Sequence, residues 1–325
     1  MIIQTGMRTD IPAFYSQWLL NRLKEGYVMV RNPYYPDSIS RYELNPDIVD
    51  LITFCTKNPV PVLRNDELMK TLEPYPQWWF VTLTPYGKEI EPHVPEKAVV
   101  ADAIIELSKI IGSENIGWRY DPIFISQKYT IQYHLKAFEN IAKRLCGYTK
   151  TAVISFIDLY PKVKRNFPEA REVTSEERVF LGKEFVRIAI QYGMMLKPCA
   201  EGDELAQFGA DCRGCQTIDV LEKAAGTKLK VPKKTQGRKE CFCFLNGDIG
   251  AYNSCGHLCK YCYANYDSKL VLENMKNHNP SSPFLIGKLK ETDKIFRLSS
   301  TKQLKKANWD ADDRTSAEPF YLLLQ

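Results

Sequence analysis

Residues 78–83 read WWFVTL, residues 98–112 read AVVADAIIELSKIIG, and residues 115–118 read NIGW. The first is a short apolar strand. The second carries helical periodicity and stops at Gly112, and the third opens the next strand. Strand, helix and strand in this order make a parallel pair joined by a helical crossover. The same rhythm runs outward in both directions. Upstream lie strands at Met1 to about Gly6, Tyr27–Val30 and Leu51–Cys55. Phe14, Trp18 and Leu23 recur at helical spacing before Gly26, and Asn45-Pro46 reads as a cap opening a short helix. Downstream, Ser126–Cys146 is a helix ended by Gly147, and Thr151–Phe156 is the sixth strand. Thr174-Ser175-Glu176-Glu177 fits a capping box for a helix running to Gly193, and Met194–Leu196 is a seventh strand candidate. Six or seven such units predict an α/β protein of the TIM-like (β/α) barrel class, closed or partly open.

The rhythm fails after about Lys197. The expected organisation is a barrel over residues 1–198, a cysteine-rich segment over 199–268 packed on the barrel mouth, and a C-terminal tail over 269–325 packed on the barrel. Length, at 325 residues, suits either one barrel or two domains. Hydrophobic content is 44% and charged content 26%, values typical of a chain with a sizeable core. No apolar run of about 18 residues exists, which argues against a membrane span, and the N-terminus does not read as a secretory leader. A cytoplasmic location is expected. There, ten cysteines point to metal or redox sites rather than a disulfide framework. The net charge of +5 permits nucleic-acid contact without demanding it.

The chemistry concentrates in Cys255-Gly256-His257-Leu258-Cys259-Lys260-Tyr261-Cys262. Three thiols at C-x3-C-x2-C spacing are soft ligands crowded into eight positions. Structural zinc usually splits its ligands between two distant knuckles. One short loop instead suits three irons of a [4Fe–4S] cubane, with the fourth left open to a small molecule. A second site is expected from Cys199, Cys215, Cys241 and Cys243, as a cluster or a zinc, with Cys212 able to replace one of them. Cys55 and Cys146 sit in apolar contexts and read as core.

Polar residues follow each expected strand: Arg8 and Asp10, Arg31, Lys57 and Asn58, Tyr86, Arg119 and Asp121, then Ser155 and Asp158. Active sites of parallel barrels lie at these strand ends. Arg8, Arg31, Lys57 and Arg119 suit carboxylate or phosphate, and Asp10 and Asp121 suit the cations or hydroxyl and amino groups. Arg8, Asp10, Lys57, Arg119 and Asp121 are therefore the candidate catalytic residues. Asn58, Tyr86 and Tyr261 are the candidate cofactor contacts. His257 is either a donor to cluster or substrate, or an inert loop residue. His134 reads as structural, and His93 lies within reach of the mouth. The basic run KLKVPKKTQGRKE (228–240) is a solvated loop or a nucleic-acid contact.

The string CGHLCKYCYAN resembles the cluster loop of radical S-adenosylmethionine enzymes, in the version found in spore photoproduct lyase and its relatives. RTDIPAFYSQW, VRNP, TKNP, TLTPYG, WRYDPI, ISFID and DIGAYNSCGHLCKYCYAN, in this order, resemble the bacterial family called domain of unknown function 1848. That resemblance runs from about Ile2 to past Pro283. It implies a barrel with a C-terminal iron–sulfur motif, an order inverted relative to ordinary radical S-adenosylmethionine enzymes. Cys55 departs from it, at a place where tryptophan is expected. The implied activity is radical chemistry; the resemblance supplies no substrate, and an anionic or nucleotide-like one is expected from the strand-end charges, with photoproduct lyase as the analogy for a nucleic-acid base. Its cofactors would be S-adenosylmethionine and the cluster, and its electron donor a flavodoxin or ferredoxin. Two other readings stay open: an iron–sulfur sensor or nucleic-acid-binding protein without turnover, and a barrel enzyme with structural zinc.

Overall fold

The computed structural model describes residues 1–230, 241–244 and 247–298. In chain order the elements are β1 (Ile2–Gln4), α1 (Ile11–Phe14), α2 (Ser16–Glu25), β2 (Tyr27–Arg31), β3 (Ser38–Glu43), β4 (Leu51–Thr56), α3 (Val60–Leu63), α4 (Asp66–Leu72), β5 (Gln77–Thr82), α5 (Lys97–Ile111), β6 (Ile116–Ile123), α6 (Ile131–Leu145), β7 (Thr151–Phe156), α7 (Pro161–Asn166), α8 (Ser175–Gln191), β8 (Met195–Pro198), α9 (Ile218–Ala225), α10 (Ser268–Lys276) and β9 (Lys294–Leu298). Local chemistry sets several boundaries. Thr174 and Glu177 form the reciprocal capping box that starts α8. α2 stops at Gly26, whose φ of 76° puts it in the left-handed region.

Six strands make one parallel sheet in the order β1-β4-β5-β6-β7-β8. The order advances in one direction, so crossovers of a single hand place the helices on one face. Side chains alternate accordingly. Ile3, Phe54, Trp79, Trp118 and Ile154 join the helices in the large core. Ile2, Leu51, Trp78, Phe80 and Val153 turn to the other face, where Leu221 of α9 packs among them. On that second face the strand starts are plugged by apolar groups. The later residues of the same rows, Thr53, Cys55, Thr82, Arg119 and Ser155, line a cavity.

The open seam of the sheet lies between β1 and β8, which are not neighbours among the described residues. Two passing segments occupy its edges. Gln4 N donates to Gly247 O at 3.1 Å, and Ile249 N donates to Gln4 O at 2.9 Å. On the far side, Asp211 N donates to Leu196 O at 2.9 Å, and Phe244 N donates to Gln216 O at 2.8 Å. Gly247 permits this contact. Its φ is +62°, and a Cβ there would stand 2.5 Å from Ile2 O.

Three expectations need correction. Tyr27–Val30 is not a strand of the parallel sheet. As part of β2 it pairs antiparallel with β3, and β3 pairs in parallel with β9, making a separate three-stranded sheet. The alternating burial of β2 shows why, since a strand covered on one face alternates whereas a buried parallel strand is apolar throughout. Asn45-Pro46 opens a turn, with Asn45 O accepting from Ile48 N and Val49 N, because Asp50 N must already bond Met1 O beside β4. The helix expected from Ser126 starts at Ile131, where the Thr130 side chain accepts from Tyr133 N. The basic run beyond residue 230 and the tail beyond residue 298 lie outside the described residues.

Candidate active site

A cavity of 1190 Å³ opens at the C-terminal ends of the parallel strands. Eight of the ten cysteines line it: Cys55, Cys199, Cys215, Cys241, Cys243, Cys255, Cys259 and Cys262. Arg8, Asp10, Lys57, Arg119, Asp121 and Tyr261 line it as well. Cys55, expected in the core, points from the inner face of β4 into this space. Cys146, also expected in the core, is exposed. The close approach of the β1 end to β4 needs Gly6, where a Cβ would lie 2.0 Å from Cys55 O.

The loop bearing Cys255, Cys259 and Cys262 is clamped from several sides. Asn265 accepts from Cys255 N at 3.4 Å and donates to Cys255 O at 2.6 Å. Tyr15 Oη donates to Ser254 O at 2.6 Å, and Lys260 N donates to Ile90 O at 3.0 Å. Leu258 holds a φ of 52°, an uncommon left-handed conformation for a bulky residue. His257 Nε2 lies 2.9 Å from Asp10 Oδ2, and His93 Nδ1 lies 2.7 Å from Gly256 O. Both histidines thus hold the loop. Asp10 also accepts from Ala13 N, from Lys57 N and from Thr56 Oγ1. Four donors fill a carboxylate's acceptor capacity, so Asp10 knots the ends of β1 and β4 to the loop.

Burial pushes all three loop thiols up. It outweighs nearby Lys57 at Cys259, which rises to about 12. As isolated thiols they keep their protons, and a bound metal would displace them. Beside them stands a group that sequence reasoning passed over. Glu91, 1% exposed, accepts from Lys57 Nζ at 2.9 Å and Thr84 Oγ1 at 2.8 Å, and from Lys97 and Tyr261 Oη. Burial alone would raise its pKa, but Lys57 and Lys97 win and hold it at about 2. The one available signal was an acidic residue in Glu91-Pro92-His93, after a strand end. Lys57 also lies 5.4 Å from the Tyr261 ring centre.

A second sulfur group lines the same cavity. Cys215 Sγ is 3.5 Å from Cys199 Sγ and 3.2 Å from Cys243 Sγ. Arg119 reaches Cys215 and Cys199 Sγ, each at 3.7 Å, and pairs with Asp121. Hydrogen bonds from Cys215 and Cys243, with Arg119 beyond them, draw the Cys199 thiol well below its ordinary range. Among the described residues no three His, Cys, Asp or Glu side chains stand in the arrangement of a ready-made ion site.

The remaining expected residues are placed as follows. Arg8 donates from Nε to Asp248 Oδ2 at 2.5 Å and from Nη2 to Asp248 O at 2.6 Å, tying β1 to the seam segment. Arg31 turns away from the cavity and pairs with Asp293. Asn58 bonds its own turn, accepting from Val60 N. Tyr86 is buried against Phe124, its hydroxyl donating to Pro122 O. Neither Asn58 nor Tyr86 lines the cavity. Cys212 lies off the cavity and packs against the helix-side core. Tyr34 and Tyr35 from the β2–β3 connection, Tyr42 from β3 and Tyr252 add aromatic lining to the cavity that sequence reasoning did not foresee.

The fold and site define a mixed α/β protein with a cysteine-lined cavity at the ends of a parallel sheet. The chain belongs to the family described as Domain of unknown function (DUF1848), whose model matches residues 2–264. No curated protein matches it. No helix among the described residues is long and apolar enough to cross a membrane.

Proposed function

We propose that this protein is an iron–sulfur enzyme of the radical S-adenosylmethionine type, acting on an anionic or nucleotide-like substrate. One observation carries the reading: Cys255, Cys259 and Cys262 face the same cavity as Arg8, Lys57 and Arg119. On this reading the six-stranded sheet is a partly open (β/α) barrel whose seam is filled by residues 210–216, 243–244 and 247–249. The described residues of the cysteine-rich segment 199–268 then cover the barrel mouth. The three loop thiolates would hold three irons of a [4Fe–4S] cluster. When bound, such a cluster would supply one-electron chemistry to S-adenosylmethionine at its open iron, with cofactor and substrate held in the cavity by this chain's own side chains.

The chain's own residues position, charge and shield this site. Asp10, His257 and Asn265 keep the loop in one conformation. Lys57 places positive charge beside Cys259, offset by Glu91. Ligand pockets commonly measure about 300–1,000 Å³, so 1190 Å³ has room for a cofactor and a substrate together. Tyr34, Tyr35, Tyr42 and Tyr252 offer flat faces to a base, a preference that extends to nucleic acid as a candidate partner. The ten cysteines form no disulfide, which suits a reducing cytoplasm and a flavodoxin or ferredoxin as electron donor.

The test uses anaerobically purified protein, reconstituted with iron and sulfide, reduced and mixed with S-adenosylmethionine. Formation of 5′-deoxyadenosine, lost in Cys259→Ala, is the expected result. If none forms and the cofactor leaves the cluster's paramagnetic spectrum unchanged, the radical reading fails and a non-catalytic sensor takes its place. Zinc without iron in the purified protein would favour a structural metal instead.

A further inference from the structure

We propose that Cys199, Cys215, Cys241 and Cys243 hold a single tetrahedral thiophilic cation, Zn²⁺ or Fe²⁺, that latches the open seam of the parallel sheet. The proposal stands apart from the chemistry of the 255–262 loop.

Sulfur spacing separates one ion from a cluster. With metal–sulfur bonds of about 2.3 Å, the edge of a tetrahedron of thiolates is about 3.8 Å. Cys215 Sγ lies 3.5 Å from Cys199 Sγ and 3.2 Å from Cys243 Sγ. These thiols are packed against one another, and spreading them by roughly half an ångström would admit one ion between them. A cubane would interpose several irons and sulfides, and the thiols would have to move much further. The fourth sulfur, Cys241, lies two residues before Cys243 and lines the same cavity. Cys212 is not part of this group.

The surroundings suit negatively charged sulfur. Four thiolates around a divalent cation carry two net negative charges. Arg119 aims Nη1 at Cys215 and Nη2 at Cys199, each at 3.7 Å. Gln216 N donates to Cys243 Sγ at 3.3 Å. Donors of this kind around metal-bound sulfur orient the ligands and tune the site. Cys215 and Cys243 are buried and Cys199 and Cys241 half-buried, so the ion would be shielded from solvent on the Cys215–Cys243 side.

Placement gives the latch its role. Cys199 directly follows β8. Cys215 precedes Gln216, which accepts from Phe244 N, and residues 247–249 go on to pair with β1. The four ligands therefore join the two edges that the strand order leaves apart.

The experiment removes the other sulfur group first. Cys255→Ala, Cys259→Ala and Cys262→Ala are combined in the full chain, which is purified without oxygen from medium containing iron and zinc. The expected result is about one ion per chain and no acid-labile sulfide. Cobalt exchanged into this protein should show the intense absorption of a tetrahedral thiolate site. Adding Cys215→Ala or, separately, Cys243→Ala should remove the ion. Should both of these variants misfold, chelation of the triple variant supplies the readout, with a lower Tm and faster proteolysis between residues 199 and 249 expected. Several irons with sulfide in the triple variant, no metal at all, or an ion that persists without Cys215 and Cys243 would each overturn the proposal. Chelation that leaves Tm and proteolysis unchanged would overturn the latch. None of these outcomes depends on 5′-deoxyadenosine formation by the wild type.

Discussion

Replacing Glu91 by Gln removes one negative charge from between Lys57 and Lys97 and keeps the side chain's size. Two routes give the magnitude. The carboxyl falls from 4.5 to about 2 in the folded protein, although burial works to raise it, because the two lysines dominate. At 1.36 kcal/mol per pH unit this is roughly 3 kcal/mol of native stability at neutral pH. Independently, breaking a buried ion pair from one side costs about 3–5 kcal/mol, since the partner is left uncompensated. Glu91 is 1% exposed, and the Lys57 side chain is 15% exposed. Screening by water is therefore small, and the two figures agree. The folded pKa lies below the unfolded one. The stabilisation is thus complete above pH 4.5 and fades as pH falls through about 2. Urea unfolding of metal-free wild type and Glu91→Gln, under reducing conditions, should show a lower midpoint at unchanged slope. The gap should narrow below pH 4.5. Adding Lys57→Met should recover at least about 1 kcal/mol as a coupling energy, because the stranded ammonium is gone. A loss below about 1 kcal/mol at pH 7, or a gap indifferent to acid, would refute the argument that this carboxylate holds the strand ends to the 255–262 loop.

Other expectations follow from single contacts. His134 is fully buried between Tyr120 Oη and Phe124 O, and desolvation lowers it from 6.5 to about 4. Its contribution is present above pH 6.5 and lost as pH falls through about 4, a difference of roughly 3 kcal/mol. The stability-against-pH curve of His134→Gln should be flatter in that window, and an unchanged slope would contradict this. Asp10→Asn should cost about 2 kcal/mol and reduce iron retention by the loop, because the amide has one acceptor oxygen for four donors. Equal iron content in the two proteins would show that the knot does not hold the loop. Gly6→Ala should cost about 2 kcal/mol or more through its clash with Cys55 O. Gly26→Ala, strained in φ but with open space around the added carbon, should cost about 1 kcal/mol. Equal losses measured by denaturation would mean that the β1–β4 approach relaxes freely.

What could be read from the chain depended on short-range signals. Thr151–Phe156 was legible as a strand because five of its six residues are apolar or β-branched, which leaves few alternatives, and its bounds match β7. The α8 capping box was legible because its two partners stand three residues apart. The three-thiol loop was legible as one unit for the same reason, since Cys255, Cys259 and Cys262 fall within eight positions. By contrast, β2 looked like one more barrel strand because its four apolar residues carry no mark of the partner they choose. Only β3, eleven residues on, and β9, far along the chain, put it in a second sheet. Arg8 and Asp248 are separated by 240 positions, and Tyr261 and Glu91 by 170. Nothing local encodes such meetings.

The amino-acid sequence alone determined the parallel α/β character, the main helix stops and the crowding of three thiols into one short loop, because periodicity, caps and residue spacing act over a few residues. Tertiary structure decided that eight distant cysteines share one cavity, that the expected ring of charges resolves into ion pairs, and that Glu91 stands at its centre. Those outcomes depend on which strand edges meet and which faces are buried, quantities that exist only once the chain has closed on itself.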